Sequence, residues 1–79
     1  MNKTEVISQL TPIFQIVFNN PEIQISENLT ANDVKGWNSL THMILMSNIE
    51  ESFKIKFSLR EINKMQNVGD LISLIESKK

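Results

Sequence analysis

Apolar residues recur along this chain at spacings of three and four, interrupted by one long polar stretch. Val6, Ile7, Leu10, Ile13, Phe14 and Val17 keep that spacing and predict an amphipathic helix from Thr4 to Phe18. Pro12 removes one backbone donor inside it, and the continuous apolar period favours one locally kinked helix over a fresh start capped by Thr11. The next stretch, "NNPEIQISENLTANDVKG", is rich in turn formers and predicts a long connection. "EIQIS" alternates as a strand would, but no second strand is available to pair with it. Leu29 and Val34 are expected to tack this loop onto the core. A long ordered loop in a small domain is more often functional than idle.

A second helix is predicted from about Ser39 to Phe53, with Asn38 placed to accept a backbone N–H of the first turn. On a helical wheel Met43, Met46, Ile49 and Phe53 form the core stripe, with Leu45 at its edge. Leu40, Ile44, Ser47 and Glu51 lie roughly opposite. An ordinary surface helix would be polar there. Two apolar residues one turn from Ser39 therefore imply either a docking surface or burial under the long loop. Ser58 and Glu61 have capping-box spacing and predict a short third helix. In "QNVGDLISLIESKK", Asn67 is the cap and Asp70 falls in the first turn. Val68, Leu71, Ile72 and Ile75 share one face, while Lys78 and Lys79 suit the C-terminus. The expectation is an all-α, four-helix bundle with a long first loop and a short third helix, forming one domain over residues 1–79.

Composition narrows the function. Seventy-nine residues bury only about 60% of the unfolded surface, which leaves a thin core and no interdomain cleft. That favours a binding or carrier module over an enzyme. With no cysteine and one histidine, disulfides are excluded and a zinc site is improbable. No apolar run approaches the ~20 residues of a membrane span, and "MNKTEVISQL" has no signal-type apolar region, so a cytoplasmic protein is expected. The net charge is −1, unevenly placed: six acids and two bases over residues 1–53, three acids and six bases over 54–79. No Lys or Arg lies between Lys35 and Lys54, which disfavours a helix-turn-helix DNA binder.

The segment "GWNSL" is where loop becomes helix, and it raises the question of what Ser39 is for. Together with the Met/Ile/Leu-rich helix, "EESFKIKFS" and "NVGDLISLIE", it resembles the acyl carrier protein family over nearly the whole chain. Members carry Asp-Ser-Leu at the start of their second helix, and the serine bears phosphopantetheine from coenzyme A. The resemblance thus implies Ser39 as attachment serine, Asn38 in the place of the usual Asp, and Leu40 as the usual Leu. Asn38 keeps the capping role but lacks the carboxylate that in the family is thought to assist the modifying enzyme and its magnesium. The Trp before the motif and "THM" after it resemble stand-alone carriers of polysaccharide and secondary-metabolite clusters more than those of fatty-acid synthesis.

The implied protein is a non-catalytic monomer serving a phosphopantetheinyl transferase, an acyl ligase, and an acyl transferase or synthase. The pathway would be fatty-acid, polysaccharide-modification or secondary-metabolite synthesis. Leu40, Ile44, Ser47, Glu50 and Glu51 are the expected partner contacts. A helix N-terminus suits a phosphodiester through its N–H groups and dipole, and no base sits beside Ser39 to activate its hydroxyl. Trp37 is expected to anchor the loop end and His42 to be structural. Met43 and Met46 are assigned to the core, and Glu50 and Glu51 to a solvated face. The rival is a helical adaptor that grips a partner through the apolar face of the second helix.

Overall fold

The computed structural model describes residues 2–79. Four helices, α1 (Lys3–Val17), α2 (Ser39–Phe53), α3 (Leu59–Lys64) and α4 (Val68–Lys78), follow in chain order, with a 3₁₀ turn (Ala31–Asp33) inside the long first loop. Among the described residues there is no strand, so "EIQIS" is loop, with Ile23 buried and Ile25 partly so. Among the described residues no helix is long and apolar enough to cross a membrane.

Each helix starts at a polar side chain that satisfies its orphan N–H groups. Asn2 caps α1 in a reciprocal box with Glu5, one step earlier than the apolar pattern indicates. Ser58 and Glu61 form the expected box on α3, and Asn67 accepts the Asp70 N–H at 2.8 Å to start α4. Pro12 lies within an uninterrupted α1, so Thr11 does not begin a new helix. Its hydroxyl instead donates to the Ile7 carbonyl at 2.8 Å.

The core is formed by Val6, Leu10 and Phe14 of α1, Leu45, Met46, Ile49 and Phe53 of α2, and Val68, Leu71, Ile72 and Ile75 of α4. α1 packs on both α2 and α4. Leu45 is completely buried, whereas Met43, assigned to the core stripe, is 45% exposed. The buried arc of α2 is thus centred on Leu45, Met46, Ile49 and Phe53, turned away from Met43.

The long loop is pinned to the bundle at several points. Val34 is buried and Leu29 partly so, as expected. The loop also receives the start of α4: Val68 N–H donates to the Leu29 carbonyl and Gly69 N–H to that of Glu27, both at 2.9 Å. A Cβ on residue 69 would stand 3.0 Å from the Glu27 carbonyl oxygen, which explains a glycine at this close approach. These contacts hold the middle of the loop against the bundle.

Candidate functional site

Ser39 is the first residue of α2, and it is exposed. The chain arrives through Gly36, whose φ of +90° lies in the left-handed region that favours glycine. Asn38 then caps the helix, its Oδ1 accepting the N–H groups of Leu40 and Thr41, each at 3.0 Å. Thr41 answers: its Oγ1 accepts the Asn38 N–H at 2.8 Å and donates to the Gly36 carbonyl at 2.7 Å. Ser39 sits inside this closed set of bonds with its own hydroxyl uncommitted. Because Asn38 already takes two first-turn N–H groups, an anion at Ser39 would meet the helix dipole more than a row of free donors.

Behind the serine, Trp37 anchors the loop, as expected. Its ring lies 5.5 Å from both Phe14 and Phe18, edge-on to the first, and is only 9% exposed. His42 stacks on it at 6.0 Å. The indole N–H donates to His42 Nδ1 at 3.1 Å, so the imidazole proton resides on Nε2 and points to the Ile62 carbonyl of α3 at 3.2 Å. Both ring nitrogens are thus engaged away from Ser39, and His42 ties the start of α2 to α3. His42, the one histidine of the chain, therefore does not serve Ser39 as a base.

An open cleft of about 320 Å³ lies against Ser39. Trp37, Asn38 and His42 line it, together with Ala31 of the 3₁₀ turn and Met65 and Gln66 of the α3–α4 link. Sequence reasoning missed this cleft. Among the described residues no cluster of His, Asp or Glu could hold a metal ion.

The outer face of α2 carries Leu40, Met43 and Ile44, exposed by 70%, 45% and 45%. The long loop covers neither Leu40 nor Ile44, and Met43 joins them. Ser47 and Glu51 are exposed on the same helix. Glu50 departs from its expected place on a solvated face: it is half-buried, and its carboxylate accepts the Phe57 N–H at 2.8 Å. There it holds the turn after α2, where Lys54 adopts φ 58°.

No family model matches the chain. The acyl carrier protein of Thermotoga maritima is 29% identical over 77 residues, which cover 98% of this chain and 95% of that protein. The solution NMR structure of a holo acyl carrier protein from Geobacter metallireducens is 44% identical and superposes with a TM-score of 0.85, over 91% of this chain and 83% of that one. The chain belongs to the acyl carrier protein family. Acyl carrier proteins are carriers and not enzymes. In this acyl carrier protein Asn38, Ser39 and Leu40 stand together at the start of α2.

Proposed function

We propose that residues 1–79 act as one carrier domain holding acyl groups as thioesters on a phosphopantetheine arm attached to Ser39. The observation that carries this reading is the Ser39 hydroxyl: exposed, uncommitted, and held at the first turn of α2 beside an open cleft. The residues fit the group. The positive end of the α2 dipole favours a phosphodiester by about 0.3–1 kcal/mol at an exposed site. The Asn38 carboxamide, with its oxygen spent on the cap, keeps an NH₂ to donate. When bound, the arm supplies the thiol that this cysteine-free chain lacks.

The protein's own part is presentation. Asn38 and Thr41 hold Ser39 outward for a phosphopantetheinyl transferase. The Leu40, Met43 and Ile44 face offers apolar docking area to that enzyme, to an acyl ligase, and to an acyl transferase or synthase. Ser47 and Glu51 border this face. Glu50 is withdrawn from it, so docking leans on apolar contact more than on charge.

The same apolar face favours one rival, an adaptor that grips a partner without any covalent group. Incubation with coenzyme A and a broad-specificity transferase separates the two. Intact mass spectrometry should show a full phosphopantetheine increment on the wild type. An unchanged mass with every transferase tried would leave the adaptor.

A further inference from the structure

The cleft beside Ser39 has properties that docking by α2 does not use. Its lining includes no Lys, Arg, Asp or Glu, and the Nδ1 of His42 is taken up by the Trp37 N–H. Trp37, Met65 and Ala31 give it apolar walls. Two carboxamides complete it. Asn38 has its oxygen spent on the cap and its NH₂ unused, and Gln66 is tied only through its main chain, donating its N–H to Asp70 at 2.9 Å. A neutral ligand with a compact branched alkyl group and an amide matches such walls; a charged one finds no counter-ion.

Size agrees. A cleft of 320 Å³ lies at the small end of the range for sites that hold organic ligands. Past its phosphate, a phosphopantetheine arm begins with a compact pantoyl unit: a carbon bearing two methyl groups, then a hydroxyl and an amide. Because Ser39 itself lines the cleft, attachment there would deliver this unit at high effective concentration.

We propose that this cleft is the seat of the pantoyl segment, with the dimethyl carbon against Trp37 and Met65 and the amide bonded to Gln66. The proposal rests on Ser39 being the attachment site. It makes Ala31, Trp37, Met65 and Gln66 positioning residues for the arm, and it leaves the thiol end in solvent, where partner enzymes reach it.

The test compares the apo protein with protein fully converted by coenzyme A and a transferase, using amide NMR shifts and the emission of the sole tryptophan. The seat predicts shift changes at Ala31, Met65 and Gln66, remote from Ser39 in sequence, as large as those at residues 38–41. It also predicts a changed Trp37 emission and a melting temperature several degrees above the apo form. Gln66→Ala, at an exposed position, should shrink the remote shifts in converted protein, and Ala31→Phe should abolish them by filling the cleft. Changes confined to residues 37–41 in fully converted protein overturn the seat and leave the attachment standing. Failure of every transferase to convert the chain overturns both.

Discussion

The phase of α2 decides which residues hold the domain together and which remain for partners, and one pair of substitutions tests it. Leu45→Ala removes a side chain that is completely buried. Truncating such a leucine costs about 2–5 kcal/mol, through lost transfer energy and the cavity left behind. With α1 packed against α2, little room exists for collapse, and about 3 kcal/mol is expected. In a domain of this size each kcal/mol lowers the melting temperature by about 4–8 °C, so the drop should be about 12–24 °C. Met43→Ala trims a residue that is 45% exposed, and it should cost no more than about 1 kcal/mol. Thermal melts followed by far-UV circular dichroism, repeated as urea titrations, give both values. Equal losses for the two variants, or a larger one for Met43→Ala, would show that α2 is rotated from the orientation described.

Asn38→Asp should leave the melting temperature unchanged, since both residues cap well, and should raise the rate of phosphopantetheine transfer by restoring the family's usual carboxylate; an unchanged or lower rate measured by mass spectrometry would mean Asn38 is fitted to its own transferase. Ile44→Glu should slow loading by the cognate ligase by about tenfold, corresponding to 1–2 kcal/mol of lost apolar contact, with an unaltered melt. Glu51→Lys is the comparison, and docking would be electrostatic if that variant failed while Ile44→Glu loaded normally. Glu61 carries an acid-sensitive part of the stability. The Ser58 N–H, and after it Lys78, hold its carboxyl below the ordinary value of 4.5. Its contribution is therefore complete above pH 4.5 and lost as the pH falls below that value. Glu61→Gln should flatten the fall in melting temperature across this acid range; a profile parallel to the wild type would contradict the assignment.

How far the sequence alone leads depends on the range of the forces involved. The caps at Asn38, Ser58 and Asn67 were legible because they act over three residues, and each has its expected partner. The apolar faces of α1 and α4 were legible because each has a single stripe. α2 was misphased at Met43 and Leu45 because it is apolar on both sides. Which side is buried is set by α1 and by the loop rather than by local pattern. Glu50 reads as a surface acid until the turn at Lys54 brings the Phe57 N–H to it. The cleft could not be foreseen at all. It forms where the 3₁₀ turn and the α3–α4 link meet the start of α2, and the bond from His42 to Ile62 spans 20 residues and ends on a backbone carbonyl that no side-chain motif marks.

The proposed carrier role depends on Ser39 bearing the arm. Its most direct test is fragment-level mass spectrometry of the protein isolated from cells that also produce a phosphopantetheinyl transferase, followed by digestion. Our account predicts the phosphopantetheine increment on the fragment containing Ser39, at that residue alone, and none anywhere in Ser39→Ala. An increment on another serine, or one that persists in Ser39→Ala, would contradict it.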